Sequence, residues 1–200
     1  MPQGKECNMR VLVAVIVSCL VGTQPAMAAG VDDAQAVVKK SLNSVTNILK
    51  QNLDKNIKEQ RIVSAVTPVF DLPLMARLTL GKKHWGRLSV GQRQKYSDLY
   101  IKHLQKTYLG QLNLYSNEKI VYKKPVEKKG KVYVPTELVS ESQTTPVLYK
   151  LYRAKDGRWK IWDVEVSGAS VVYSKRAEFD AILSKGTIED LYGKLNATLQ

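Results

Sequence analysis

Residues 147–166 read VLYKLYRAKDGRWKIWDVEV, and they decide the fold of this chain. Two runs rich in Val, Ile, Tyr and Trp flank Asp156-Gly157, a dipeptide typical of the two-residue turn that joins antiparallel strands. The pattern predicts a β-hairpin, and a turn of this length fixes which residues of the two strands lie opposite each other. The predicted pairs are Ala154 with Trp159, Tyr152 with Ile161, and Tyr149 with Val164.

This register also assigns each side chain to one face of the hairpin, because successive side chains of a strand point to opposite faces. One face is apolar and aromatic, whereas the other carries charges. We expect the first face to be buried or to bind something apolar. The apolar face comprises Val147, Tyr149, Leu151, Trp162, Val164 and Val166, and the charged face comprises Lys150, Asp163 and Glu165.

Outward from this hairpin, the sequence predicts a fold of the α+β class. Four short runs with a period of two indicate an antiparallel meander, and apolar residues at helical spacing precede and follow it. Helices packed on one face of such a curved four-stranded antiparallel sheet can enclose a cone-like cavity. The predicted strands are residues 119–123, 131–139, 147–153 and 158–166. The predicted helices are residues 33–53, 57–66, 74–80 (ending at Gly81), 89–115, 179–183 and 188–199.

The N-terminus predicts export from the cytoplasm. Lys5 and Arg10 precede an uncharged apolar run at 11–22, and small residues follow at 25–28, which gives the three parts of a cleavable signal peptide. The apolar run is too short to span a bilayer, which needs about 20 residues. The predicted divisions of the chain are a signal peptide at 1–28 and a single domain at 29–200.

A second processing route stays open at the same segment. Residues 16–19 loosely resemble a lipobox, in which Cys19 would carry a lipid anchor instead of being removed. The other cysteine, Cys7, also lies within the first 28 residues. We therefore expect no disulfide in the remaining domain, although an exported protein could form one.

The chain is strongly basic, with a formal charge of +13. Residues 1–28 contain Lys5, Arg10 and Glu6, so the remaining domain keeps +12. Such a charge in a cytoplasmic protein would suggest nucleic acid, but export removes most nucleic acid from reach. Anionic lipid headgroups or acidic proteins become the better candidate partners, and a merely solvated basic surface is the alternative.

Catalytic and metal-binding patterns are weak. The two histidines, His84 and His103, do not suffice for a transition-metal site without thiols. Ser170 lacks a nucleophile elbow and ordered His and Asp partners, and the carboxylates are scattered. We therefore expect neither an enzyme nor a cofactor. His103, on the apolar stripe of its helix, is expected to be a hydrogen-bonded core or cavity residue, and His84 a capping or surface residue.

Two blocks of residues resemble a known family, the periplasmic phospholipid carriers of the Mla pathway, called the MlaC or toluene-tolerance family. Together the blocks cover most of residues 33–200. The first block comprises Phe70-Asp71, Met75-Ala76-Arg77, Leu80-Gly81, Trp85, Gln92-Arg93, Tyr96, Tyr100, Leu104, Thr107-Tyr108 and Leu112. The second comprises residues 156–161, Asp163-Val164, Gly168, Ser170, Arg176 and Phe179.

The resemblance implies an NTF2-like cone that holds the acyl chains of a glycerophospholipid. It also implies a periplasmic carrier that passes lipid between an outer-membrane lipoprotein complex and an inner-membrane ABC transporter complex with its lipid-binding ring protein. Such transport would maintain the lipid asymmetry of the outer membrane and support tolerance to organic solvents. No reaction at the carrier is implied.

An enclosed site agrees with the chemistry of lipids. A diacyl lipid has about 30 methylenes, and exposing them to water at ~0.8 kcal/mol each costs on the order of 20 kcal/mol. We expect the chains to lie between the helix that follows residue 89 and the apolar face of the hairpin. The candidate lipid-binding residues are Leu104 and Tyr108 on one wall, and Tyr149, Leu151, Trp162, Val164 and Val166 on the other.

Alternatives remain at this point. Ordinary core packing uses the same side chains as a lipid cavity. A binding protein for another apolar ligand, such as a hopanoid or an organic solvent, would have a similar sequence. A ligand-free adaptor of the cell envelope would have a filled core instead.

Overall fold

The computed structural model describes residues 26–112 and 118–200. The predicted signal segment up to residue 25, with both cysteines, lies outside the described residues, as does the end of the helix predicted to reach residue 115. None of the described helices is long and apolar enough to cross a membrane. The helices are α1 (Ala26–Leu49), α2 (Lys55–Val66), α3 (Leu72–Trp85), α4 (Val90–Leu112), α5 (Val171–Leu183) and α6 (Ile188–Ala197). The strands are β1 (Lys119–Tyr122), β2 (Val126–Lys128), β3 (Lys131–Val139), β4 (Thr144–Arg153), β5 (Trp159–Val166) and β6 (Ala169–Ser170).

The sheet is antiparallel and has six described strands rather than the four predicted. Its order is β1-β3-β4-β5-β6, and β2 pairs with β3 beside β1. The four predicted strands correspond to β1, β3, β4 and β5. The sequence missed β2 and β6 because three and two residues are too few to establish an alternating pattern.

The turn of the β4–β5 hairpin differs from the prediction. Ala154 donates its N–H to the carbonyl of Arg158 (2.8 Å), so the loop between them has three residues and ends at Gly157 with φ +82°. A three-residue loop with glycine in the left-handed region is the next most common hairpin turn. The observed pairs are Arg153 with Trp159, Tyr152 with Lys160 and Leu151 with Ile161, so the predicted pairs of Ala154 with Trp159 and Tyr152 with Ile161 are wrong by one residue.

A β-bulge restores the predicted register farther from the turn. Between Lys150 and Leu151 the pairing shifts by one residue, because Trp162 is an extra residue on β5 with no partner on β4. Beyond the bulge, Tyr149 lies opposite Val164, as predicted.

The outer edge of β5 holds the segment before α3. Val69 accepts a hydrogen bond from the N–H of Ile161 (2.9 Å), and Asp71 donates its N–H to the carbonyl of Ile161 (2.8 Å). Asp71 then caps α3, since its carboxylate accepts from the N–H of Leu74 (3.0 Å). The start of α3 is therefore fixed to the sheet.

Helices contact both faces of the sheet, which corrects the prediction that they pack on one. We call the face that carries Leu151 and Ile161 the α1 face, because Ala34 and Val38 of α1 are buried against it. Asp163 points to the opposite face, since it pairs with Lys150 and not with Leu151. There its carboxylate accepts from the N–H of Val172 in the first turn of α5, so we call this the α5 face.

A second core lies among α3, α4, α5 and α6. Tyr96 and Tyr100 are fully buried, and each meets Phe179 edge to face, with ring centroids 6.3 and 6.4 Å apart. The hydroxyl of Tyr96 lies 2.6 Å from that of Thr79. The tyrosine-rich stripe of α4 thus forms the core of a helical layer.

Gly81 divides α3 into two helical segments, so the first segment ends at this residue, as predicted. Its φ of +61° interrupts the helical geometry and produces a kink. A Cβ at this position would lie 2.7 Å from Nη2 of Arg176 on α5. Glycine is therefore required both by the backbone conformation and by the close approach of α5.

Candidate apolar binding site

The bulge places Trp162 on the α5 face rather than with Tyr149. The ammonium group of Lys131 lies 4.6 Å from the centroid of the Trp162 ring, and that of Lys150 lies 5.9 Å from it. Both lysines project from the α5 face, since Lys131 pairs with Tyr152, two residues from Lys150. The predicted position of Trp162 on the apolar face is wrong. An extra residue in a strand changes the face to which the side chains on one side of the bulge point.

Three of the seven candidate lipid-binding residues lie together on the α1 face. Leu151 is fully buried, whereas Tyr149 and Val164 are half-buried and pack against the cluster that joins α1 to the sheet. Val37 and Leu42 of α1 are half-buried against the same cluster. This surface is apolar on both the helix and the sheet.

The hydroxyl groups on the α1 face are poorly solvated. Burial raises the pKa of Tyr149, and the neighbouring Tyr122 adds to the effect. The hydroxyl of Tyr122 is itself buried and has no hydrogen-bond partner among the described residues. Tyr149 nevertheless keeps accessible surface. Part of the Tyr149 side chain on this apolar face is therefore open to contact.

The other candidates lie elsewhere. Leu104 is buried in the core of the helical layer, and Tyr108 packs against that core. Burial raises the pKa of Tyr108, with a contribution from the carboxylate of Asp163 on the α5 face. Val166 shares the α1 face with Val164, but it is 38% exposed at the end of β5 and lies outside the cluster. The structure therefore does not bring Leu104 and Tyr108 into the cluster that contains Tyr149.

A charged network occupies the α5 face, as the alternation of the hairpin predicted. The ammonium group of Lys150 lies 2.9 Å from Oδ2 of Asp163 and 2.9 Å from Oε2 of Glu165. Burial alone would lower the pKa of Lys150, but its hydrogen bonds to Glu165 and Asp163 outweigh that effect and raise it. Asp163 also accepts from the hydroxyl of Ser170 (2.7 Å), the N-cap of α5. The network fastens α5 to the sheet.

A cleft of about 600 Å³ opens beside α3 and α4, and the sequence did not predict it. On its wall the hydroxyl of Tyr152 donates to the carboxylate of Asp71, which raises the pKa of Tyr152 to about 12. Arg93 donates from Nε to the carbonyl of Trp85 (3.1 Å) and lies over its ring. The sequence feature that could have indicated the cleft is the first block of family residues, because Asp71, Trp85 and Arg93 all belong to it.

The two histidines have different environments. His103 is buried and its Nδ1 lies 2.6 Å from the hydroxyl of Thr198, which confirms the prediction of a hydrogen-bonded core residue. His84 is also buried, and its Nε2 lies 2.6 Å from Oδ1 of Asp180, so its assignment as a capping or surface residue is wrong. In the described parts of the chain, no group of three or more His, Cys, Asp or Glu side chains is placed to hold a metal ion.

Comparison with known proteins connects this fold to a family. The family model for MlaC protein matches residues 38–197. The chain is 24% identical over 166 residues to the intermembrane phospholipid transport system binding protein MlaC of Haemophilus influenzae, covering 80% of this chain and 77% of that protein. Its fold is similar to that of a phospholipid-binding protein from Ralstonia solanacearum solved in complex with a phospholipid. The TM-score is 0.74 at 23% identity, over 84% of this chain and 97% of the other. Because the family model spans most of the chain, the protein belongs to the MlaC family.

Proposed function

We propose that this protein binds a glycerophospholipid by its acyl chains on the α1 face and carries it between membranes. The observation that carries the proposal is the apolar surface shared by α1 and the sheet, on which Tyr149 is only half-buried. Membership in the MlaC family supports the ligand class, as do the phospholipid transport function named for the H. influenzae relative and the phospholipid bound to the R. solanacearum protein.

The proposed site has apolar walls from two elements. Val37 and Leu42 of α1 form one wall, and Tyr149, Leu151 and Val164 of the sheet form the other. Enclosing acyl chains there avoids the cost of exposing them to water, on the order of 20 kcal/mol for about 30 methylenes. Four predicted residues are left out of this site: Leu104 and Tyr108 belong to the helical core, Trp162 lies on the α5 face, and Val166 is exposed at the end of β5.

The place of the protein in the cell is part of the proposal. The signal sequence pattern supports a periplasmic location, where an aqueous gap separates two membranes. We place the carrier between an outer-membrane lipoprotein complex and an inner-membrane ABC transporter complex with its lipid-binding ring protein. In this role it would maintain outer-membrane asymmetry, and no reaction at the carrier is needed.

The test is to identify what the protein holds. Protein exported with its own signal segment and purified without detergent is extracted with organic solvent, and the extract is analysed by mass spectrometry. We expect close to stoichiometric glycerophospholipid. A hopanoid or another apolar compound in its place would change the ligand class, and an extract without any apolar ligand would favour an adaptor with a filled core.

A further inference from the structure

Two hairpin tips lie side by side at one end of the sheet. Lys131, the first residue of β3, pairs with Tyr152 near the end of β4, and the next residue of β4, Arg153, pairs with Trp159. The β2–β3 turn and the β4–β5 turn must therefore project from the same end of adjacent strand pairs. We call this surface, formed by residues 127–131 and 153–160, the basic end.

The basic end concentrates positive charge. It contains seven basic and two acidic residues, a net charge of +5 within the +13 of the whole chain. The acidic Asp156 is already paired with Arg158, with 2.6 Å between Oδ2 and Nη2. Three lysines of the basic end are exposed, and their side chains have no hydrogen-bond or ion-pair partner among the described residues: Lys128, Lys129 and Lys155. These three ammonium groups are available to an external anion.

The composition of the basic end favours a lipid surface over an acidic protein. Five of its seven basic residues are lysines, and lysine is depleted in protein–protein interfaces, where arginine and aromatic residues are enriched. Lysines near an anionic membrane contribute on the order of 1 kcal/mol each without needing a defined geometry. All of β2 is exposed, including Val126 beside the tip, which offers an apolar side chain to the interfacial region.

We propose that the basic end docks on the surface of an anionic lipid bilayer. Docking would hold the protein at a membrane through many weak, unspecific contacts, and it does not depend on a lipid being bound at the α1 face. A second explanation for lysines at this position is that they protect the edge of the sheet against pairing with other chains. Edge protection alone predicts no binding to vesicles.

The test compares two variants of equal charge. K128Q/K129Q/K155Q removes the three unpaired lysines of the basic end. The control K102Q/K106Q/K185Q removes three exposed lysines of the helical layer for which the described residues offer no ion pair. Flotation with vesicles of phosphatidylcholine containing one third phosphatidylglycerol measures binding, and vesicles of phosphatidylcholine alone are the reference.

We expect the wild-type protein to bind the anionic vesicles preferentially and to be released as ionic strength rises. The basic-end variant should bind roughly 100-fold more weakly, at about fivefold per lysine, whereas the control should stay close to wild type. Equal losses in both variants, or no preference of the wild type for anionic vesicles, would overturn the proposal. The phospholipid that co-purifies with the basic-end variant should be unchanged, which separates this test from that of the proposed function.

Discussion

Lys150 and Asp163 form a buried ion pair across β4 and β5, with Nζ 2.9 Å from Oδ2. The same carboxylate accepts from Ser170 and from the N–H of Val172. Asp163 is fully buried, so its charge depends on these partners. Asp163 therefore links the pairing of β4 with β5 to the position of α5.

We expect Asp163→Asn to destabilise the protein by about 3 kcal/mol, because removing one member of a buried pair leaves the other with incomplete compensation. Urea denaturation followed by circular dichroism measures the change. Asp156→Asn is the matched control, since Asp156 pairs with Arg158 on the surface. A similar small effect for both variants would contradict a structural role for the buried network.

Val164→Trp should lower the amount of co-purifying phospholipid several-fold while the protein stays folded. The larger side chain would enter the space that we assign to the acyl chains on the α1 face. In a filled core, the same substitution would instead cost about 1–3 kcal/mol through overpacking. Mass spectrometry of extracts and thermal denaturation together distinguish the two results.

Val166→Trp is the control for that experiment. Val166 lies on the same strand and face, but it is 38% exposed at the end of β5. Its substitution should leave both lipid content and stability close to wild type. Normal lipid content in Val164→Trp would exclude the α1 face as the binding site.

Gly81→Ala should destabilise the protein by about 2 kcal/mol, because an L-residue at φ +61° is strained and its Cβ would clash with Arg176. The control Gly91→Ala should be neutral or stabilise by about 0.5 kcal/mol, since a Cβ there meets nothing within 4 Å. Chemical denaturation of both variants measures the difference. Combining Gly81→Ala with Arg176→Ala should recover the part of the loss due to the clash.

The stability of the protein should fall as pH decreases below about 6.5, and His103 should account for part of this fall. Burial lowers the pKa of His103, and Lys175 and Lys194 lower it further against an opposing effect of Glu178. The unfolded chain therefore takes up the proton at a higher pH than the folded protein does. The contribution of His103 to the stability of the folded protein is fully present above the pKa of the unfolded chain, and it is lost as pH falls through the pKa of the folded protein.

The hydrogen bonds around His103 explain why protonation of its imidazole is unfavourable in the folded protein. The hydroxyl of Thr198 donates to the carbonyl of Leu195 (2.7 Å), so it must accept from Nδ1 of His103, which leaves Nε2 unprotonated. Nε2 is buried and has no partner among the described residues. His103→Asn keeps a donor near Nδ1 and should flatten the pH dependence of the unfolding free energy between pH ~7 and 5. An unchanged slope would assign that dependence to other groups.

Local sequence patterns were sufficient to predict the main strands and to identify the family. The alternation of polar and apolar residues predicted β3 at 131–139, because that period arises within a single strand. The hairpin register then placed Lys150, Asp163 and Glu165 on one face. The pairing of Tyr149 with Val164 was also predicted correctly. The three-residue turn shifts the pairing by one residue, and the bulge at Trp162 shifts it back before this pair. Short strands such as β2 and β6 have no period and could not be predicted.

Long-range contacts decided what local patterns could not. His84 follows the kink at Gly81 and is predicted to lie near the surface. In the structure it is buried, and its Nε2 lies 2.6 Å from Oδ1 of Asp180 on α5. The cleft beside α3 and α4 likewise depends on Tyr152 reaching Asp71 from a distant strand. These partners are 96 and 81 residues apart, so no local spacing indicates them.

The residues 147–166 by themselves determined a hairpin with one apolar and one charged face. Tertiary structure alone decided that Trp162 leaves the apolar face, because a three-residue turn and a bulge shift the pairing and residues 69–71 hold the backbone of Ile161 from the outer edge of β5. One extra residue changes the face of a side chain without changing its hydrophobicity. The sequence therefore specified which side chains are apolar, and only the fold specified which of them share a surface.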